Sequence, residues 1–331
     1  MKTPAFWLAG KGGLAASLLS PLSWAYRAGA AIKKSAGPVP WRTSAPVICV
    51  GNVTAGGAGK TPIALDIAGR IRALGFNPHL LTRGYGGKFS GPLRVEPETH
   101  TASDVGDEAL LLARRQPTWV GTDRAATAIM ALEAGASVLV MDDGFQNFSL
   151  AKDLSLLVFD GGFGIGNGRL LPAGPLREPL KNALARAQGV VAIGADKTDA
   201  LAGLSPLIPR LTAHLRPILK GQEIKGRRVL PFAGIGRPKK FFDTLRDYGA
   251  DIAGTIAFAD HHPYSPSEMT QLRSRADELN AGLITTEKDA VRLSPTDLEN
   301  IEILTITVEW EDESTLEALL ASILNENTHA G

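Results

Sequence analysis

The chain has 331 residues, 44% of them apolar, a formal net charge of +1 and a single cysteine. Such a length builds one large or two medium α/β domains around a sizeable core. The near-zero charge gives no global drive toward nucleic acid, and one cysteine excludes an intrachain disulfide or a thiolate metal cluster.

The charge is nonetheless uneven. Lys2, Lys11, Arg27, Lys33, Lys34, Arg42 and Lys60 all precede the first acidic residue, Asp66. The longest uncharged run in this stretch, residues 12–26, contains Pro21. A bilayer crossing needs about twenty apolar residues, so this run is too short and too broken to span one. Trp7, Trp24 and Trp41, three of the five tryptophans, lie among the cations. Tryptophan at headgroup level, with cations facing anionic lipid, makes an interfacial amphipathic helix. Residues 1–42 are therefore expected to form a helical segment on a membrane surface, with a helix that merely caps the core as the alternative. A cleaved secretory signal fits poorly, because a nucleotide site starting near residue 51 needs cytosolic ATP.

Residues 46–62, Pro46-Val-Ile-Cys-Val-Gly-Asn-Val-Thr-Ala-Gly-Gly-Ala-Gly-Lys-Thr-Pro62, read as a strand running into a phosphate cradle. Cys49 falls in the strand and is expected to be a small buried apolar residue. Backbone N–H groups of a glycine-rich turn converge on phosphate oxygens, and the helix N-terminus behind it adds positive potential. The cradle comprises Thr54, Ala55, Gly56, Gly57, Ala58, Gly59, Lys60 and Thr61. Lys60 would reach the β/γ-phosphates, and the Thr61 hydroxyl would ligate Mg²⁺. The pattern G-x-x-x-x-G-K-[ST] is met except at its first position, where Thr54 stands.

A βα alternation follows. Helix 62–74 leads to strand 79–82 and the loop Arg83-Gly84-Tyr85-Gly86-Gly87. Then come helix 106–115, strand 118–120, helix 123–134, strand 137–141, strand 154–159, a Gly/Pro/Arg-rich loop over 161–180, and strand 189–194. Apolar strands alternating with helices predict a mostly parallel, P-loop NTPase-like sheet covered by helices on both faces, over residues 43–218. From about 219 to 331 the pattern restarts as a second, smaller α/β lobe. It has strands at 228–234, 252–258, 283–286 and 303–308 and helices at 238–248 and 266–280. Sites in such folds lie at the carboxyl ends of strands, between lobes.

Asp142 and Asp143 close an apolar strand, where a P-loop protein places an acid on Mg²⁺ or its water; a helix cap is the plain alternative. Asp107 and Glu108 open a helix after Gly106. Acids there complement the helix dipole, or act as general base or metal ligand facing a γ-phosphate. Asp260-His261-His262 ends a strand of the second lobe, and neighbours along a strand face opposite sides. The acid that pairs with a catalytic histidine could therefore come from the first lobe. Arg83 and Arg177, in glycine-rich loops, could each clamp a phosphate. Asp196-Lys197-Thr198-Asp199 imitates a guanine-reading element, but Asp at its Asn position would oppose the guanine N7, so the match is read as chance.

Taken in order, Gly51-Asn52, Gly56-Gly57-Ala58-Gly59-Lys60-Thr61-Pro62, Arg83-Gly84-Tyr85-Gly86, Gly106-Asp107-Glu108, Asp142-Asp143-Gly144-Phe145-Gln146, the run from Leu171 to Pro179, Phe258 with Asp260-His261, and Thr286-Glu287-Lys288-Asp289-Ala290 resemble the tetraacyldisaccharide 4'-kinase family over nearly the whole chain. The resemblance implies an ATP- and Mg²⁺-dependent kinase on the cytoplasmic face of the inner membrane of Gram-negative bacteria. It would phosphorylate the 4'-hydroxyl of an acylated glucosamine disaccharide 1-phosphate, with a second lobe closing on a P-loop core. It further implies catalytic roles for Lys60, Asp107, Asp143 and His261 and metal contacts from Thr61, Glu108 and Asp142. Arg83, Arg177 and Asn147 would lie near substrate phosphate or sugar. Thr54 is no departure from that family, whereas Asn147 stands where it usually has histidine, and Asn cannot carry a proton charge. A membrane-associated ATPase switch of the partitioning or positioning class is the rival, but its defining second lysine is replaced by Ala55. A GTPase metallochaperone would need an intact guanine element and Cys or His ligands.

Overall fold

The computed structural model describes residues 4–8, 10, 12–35, 39–57, 59–219 and 224–328. After a 3-10 turn at Ala5–Trp7 come α1 (Gly13–Ser35), β1 (Val47–Gly51), α2 (Lys60–Ala73), β2 (Pro78–Thr82), β3 (Leu93–Arg94), α3 (Ala102–Val105), α4 (Asp107–Ala113), β4 (Thr118–Val120), α5 (Arg124–Glu133), β5 (Val138–Asp142), β6 (Leu154–Asp160), α6 (Leu180–Leu184) and β7 (Gly189–Ile193). The chain continues through β8 (Arg210–Leu219), β9 (Arg228–Ala233), α7 (Pro238–Asp247), β10 (Asp251–Ile252), β11 (Ile256–Ala257), α8 (Pro266–Glu278), β12 (Gly282–Thr286), α9 (Glu287–Ala290), β13 (Ile301–Trp310) and α10 (Glu313–Thr328).

One sheet carries both lobes, in the order β10-β9-β12-β13-β8-β7-β6-β1-β5-β2-β4-β3, with β11 beside β9. Among the described residues, β3–β4 and β8–β13 are the antiparallel pairs. The central strands are apolar throughout because both faces are covered. Ile48 and Val50 of β1 enter one core with Ile63, Ile67 and Ile71 of α2. Val47 and Cys49 enter the other with Ala128 and Ala131 of α5. The strand thus alternates with period two, while α2 presents a stripe at four-residue spacing. Burial of each such isoleucine contributes about 1.5–3 kcal/mol. In the second lobe, Phe241, Phe242 and Leu245 of α7 cover one face and Met269, Leu272 and Ala276 of α8 the other.

The lobes are joined by β8 and β13, whose register runs from Leu219 opposite Leu304 to Ala213 opposite Trp310. β13 starts beside β12 and ends with Val308 and Trp310 in the first-lobe core, where Leu316, Leu320 and Leu324 of α10 also pack. The Trp310 Nε1 donates to Asp66 of α2 at 2.7 Å. The chain therefore returns to the first lobe at its C-terminal end, a return that the sequence division at residue 219 does not contain.

Three local expectations change. Strand β8 was hidden by Pro217. That residue lies beyond the reach of β7, which pairs only with 210–213, so one flank of the strand is open where proline stands. Strand 252–258 divides into β10 and β11 around Gly254. Helix 106–115 begins a residue later and is preceded by α3, because Gly106 breaks the run with a φ of +90°. A Cβ at Gly106 would lie 2.4 Å from the Tyr85 carbonyl oxygen, so the Gly84–Gly86 loop and the α4 start fit only with glycine.

Helix α1 docks through Ser23, whose hydroxyl donates to the Leu170 carbonyl at 2.9 Å, and through buried Ala16. Its outer surface exposes Leu14, Leu18, Leu22 and Trp24. No helix among the described residues is long and apolar enough to cross a membrane.

Candidate active site

The cradle is held from behind before any ligand enters. Buried Asn52 donates to the Thr54 carbonyl at 2.9 Å. Ala55 N–H donates to Pro175 at 2.8 Å and Arg177 N–H to Val53 at 2.7 Å. The Gly/Pro/Arg-rich loop is thus the backing of the phosphate turn. Gly59 caps α2 in the left-handed region, φ +75°, which turns the open N–H groups of the first helical turn toward the cradle. Ala58 lies outside the described residues.

At the end of β5, next to β1 in the sheet, Asp142 accepts a hydrogen bond from the Thr61 hydroxyl at 3.1 Å. Its other oxygen is buried with no hydrogen-bond partner. Burial, followed by the charge of Glu108, pushes the Asp142 carboxyl up to about 7. An orphaned carboxylate oxygen beside a hydroxyl suits a divalent cation that takes its other ligands from phosphates and water. Among the described residues no group of three or more acids, histidines or cysteines is placed to hold a metal ion.

Asp143 sits in the left-handed region, φ +53°, and faces two cations. Arg177 Nη1 donates to both of its oxygens, at 3.0 and 3.1 Å, and Lys60 Nζ lies 3.6 Å away. Burial would raise this carboxyl, but Lys60 and Arg177 hold it below the ordinary carboxylate range. Gln146, not singled out from sequence, ties this corner together. It donates to the Asn52 carbonyl at 2.9 Å, and its oxygen lies 3.4 Å from Arg177 Nη1.

The second lobe reaches this corner through α4. His261 Nδ1 lies 2.8 Å from Asp107 Oδ2, and Lys288 Nζ donates to Glu108 at 2.9 Å. Against the penalty of burial, Lys288 and then Lys60 hold Glu108 below the ordinary range. Lys288 is raised in turn by Glu108, which outweighs burial. Arg292 adds a third contact, its Nε 3.1 Å from Asp107 Oδ2. Beside them Glu287 pairs with Arg115, and Val291 enters the small core around Val105, Leu110 and Val120.

The two histidines separate cleanly. His261, φ +60°, turns to Asp107, with Asp260 only a distant neighbour at 3.8 Å. His262 lies 2.9 Å from Glu268 and stacks on Phe258, ring centroids 4.6 Å apart. Two of the expected substrate residues stand outside the cluster. Arg83 is exposed, and the Asn147 side chain closes a turn by accepting from the N–H and hydroxyl of Ser149, both at 3.2 Å. The guanine-like run is also a turn: Asp196 accepts from Thr198, Ala200 and Leu201 N–H groups. Cys49 is fully buried, and burial pushes its thiol up to about 11.

Lys288 and Arg292 were missed as site residues. Only the motif Thr286-Glu287-Lys288-Asp289 signalled the former, and nothing local signalled the latter.

The chain matches the family model described as Tetraacyldisaccharide-1-P 4'-kinase over residues 15–325. It is 50% identical over 330 residues to a tetraacyldisaccharide 4'-kinase of Rhodospirillum centenum, covering 98% of this chain and 97% of that protein. It is likewise 50% identical over 320 residues to that of Gluconacetobacter diazotrophicus, covering 97% of each. Among solved structures it is similar to LpxK from Aquifex aeolicus in complex with ATP, with a TM-score of 0.78, 27% identity, and coverage of 93% of this chain and 99% of that one. With its full-length match and a cradle opposed by a second lobe, the chain belongs to the tetraacyldisaccharide 4'-kinase family.

Proposed function

We propose that the chain transfers the γ-phosphate of ATP to the 4'-hydroxyl of tetraacyldisaccharide 1-phosphate, a lipid A precursor. The observation that carries this reading is the meeting of Asp107 and Glu108 with His261 and Lys288 across the lobes, in a chain of this family. Phosphoryl transfer depends on positioning and on neutralising oxygen charge.

In this reading the amides of residues 54–57 and 59, with Lys60, grip the triphosphate. Thr61 and Asp142 would hold Mg²⁺, with Glu108 at hand, and the ion would supply neutralisation of the phosphate oxygens. Asp143, pinned by Arg177, fixes the direction of Lys60 when the cradle is empty and releases it to phosphate when filled. Asp107 takes the proton from the 4'-hydroxyl, since a sugar hydroxyl is a poor nucleophile without a base in reach. The His261 Nδ1–H donates to its Oδ2, orienting the carboxylate and stabilising its charge. Arg83 is free to meet a substrate phosphate at the rim.

The acceptor's acyl chains stay in lipid, so the enzyme must work at a bilayer surface. The exposed Leu14, Leu18, Leu22 and Trp24 of α1 support docking on the cytoplasmic face of the inner membrane, where ATP is supplied. A partitioning-class switch is not favoured, since Ala55 occupies the position of its second lysine. The test is product analysis with [γ-³²P]ATP and the tetraacylated disaccharide in mixed micelles. Label is expected on the lipid; release only as inorganic phosphate would contradict the reading.

A further inference from the structure

Arg292 is 6% exposed in its side chain, and its contacts come from separate segments of the second lobe and from α4 of the first. Its guanidinium donates to the carbonyls of Gly234 (3.1 Å), His262 (3.0 Å) and Lys288 (3.1 Å). Its Nη2 lies 3.3 Å from Asp289, which is itself fully buried and accepts from Gly234 N–H at 2.8 Å, Tyr264 at 2.7 Å and Thr286 at 2.6 Å. From this anchored position Nε lies 3.1 Å from Asp107 Oδ2, the oxygen that His261 also meets. Among the described residues nothing bonds Asp107 Oδ1.

Both partners of Asp107 therefore come from the second lobe and share one oxygen. We infer that Arg292 is a positioning residue for phosphoryl transfer: it clamps Asp107 Oδ2 and the 260–262 turn in one geometry, leaving Oδ1 to face the acceptor hydroxyl. The physical need is for arginine. A planar fork gives its hydrogens to three carbonyls while its charge lies against the Asp107 and Asp289 carboxylates, whereas lysine offers one point with three donors. A buried cation so fully bonded keeps its orientation, and a base misplaced by a fraction of an ångström loses rate without losing substrate.

The inference rests on reading Asp107 as the proton acceptor, so the test separates the two. Full-length Arg292→Gln, Arg292→Lys, Asp107→Asn and the two double variants are assayed for kcat and for KM toward ATP, with melting temperatures recorded. Arg292→Gln is expected to lower kcat about 100-fold with KM for ATP changed less than about 2-fold, and Arg292→Lys to recover about tenfold of that loss. In the Asp107→Asn background either change is expected to cost less than about 3-fold further, because the residue it acts through is gone. Equal losses in both backgrounds, a loss confined to KM, or a fully active Arg292→Gln would overturn the inference. If Arg292→Gln does not fold, the Lys variant carries the same comparison on its own. Near-normal kcat in Asp107→Asn would instead remove the reading of Asp107, whatever Arg292 does.

Discussion

The proposed nucleotide side of the cleft is built from neighbours, and the proposed acceptor side from strangers. Lys60 and Thr61 follow β1 across one turn, and Asp142 ends β5, the strand hydrogen-bonded to it, with Asp143 next. His261 and Asp107 are 154 positions apart, and Lys288 and Glu108 are 180 apart. A strand–turn–helix cradle holds its shape through its own backbone bonds and the loop behind it. The Asp107 corner exists only while the second lobe lies against α4. Damage on the first side should therefore weaken nucleotide binding, and damage on the second should slow turnover with the nucleotide still bound.

The largest expected effect belongs to Lys60→Ala. Loss of the cradle's cation should cut kcat/KM by about 10³-fold or more and weaken ATP binding in calorimetry. Undiminished ATP affinity in that variant would break the proposed division. Next comes His261→Ala, expected to reduce kcat about 100-fold with ATP affinity within about 2-fold of wild type. A parallel fall in ATP affinity would mean that the two sides cannot be treated apart.

Substitutions on the proposed membrane face of α1 should remove only access to the acceptor. Replacing Leu14, Leu18 and Leu22 together by Ser should lower cosedimentation with anionic vesicles roughly tenfold. ATP binding should be untouched; unchanged vesicle binding would reduce α1 to a structural cap.

The smallest effect on turnover is expected from a site on neither side. His79 is buried between strands and accepts the Trp119 Nε1–H at 3.1 Å. Burial, aided by Arg94 and Arg72, lowers it to about 4. Between pH 6.5 and 4 the unfolded chain thus binds more protons than the folded one, so stability falls as pH drops through that window. The contribution lost is about 2–3 kcal/mol. Urea unfolding of His79→Gln should lack this part of the slope while kcat at neutral pH stays normal; an unchanged slope would assign the titration elsewhere.

The same contrast sets what could be read from sequence. The candidate cradle could be drawn from sequence because a phosphate turn uses one continuous stretch with a fixed glycine pattern, and Asp142 because an acid closes the neighbouring apolar strand. The sequence left two histidines and several acids unassigned, since partners joined by folding carry no local spacing. In the structure His261 meets Asp107, and His262 meets Glu268. Arg292 was invisible for a stronger reason: its partners are mostly backbone carbonyls, which any sequence supplies. β8 escaped because Pro217 reads as a break, although an open flank tolerates it. The return of α10 to the first core was hidden because no helix was read from sequence over 313–328.

The most direct measurement pairs Mg²⁺-ATP calorimetry with single-turnover transfer of ³²P to the tetraacylated disaccharide, for wild type and Asp107→Asn. The account requires ATP affinity within about 2-fold and transfer at least about 100-fold slower in the variant. Transfer at a near-wild-type rate, or loss of ATP binding along with it, would contradict a base that is held by one lobe and serves the phosphate gripped by the other.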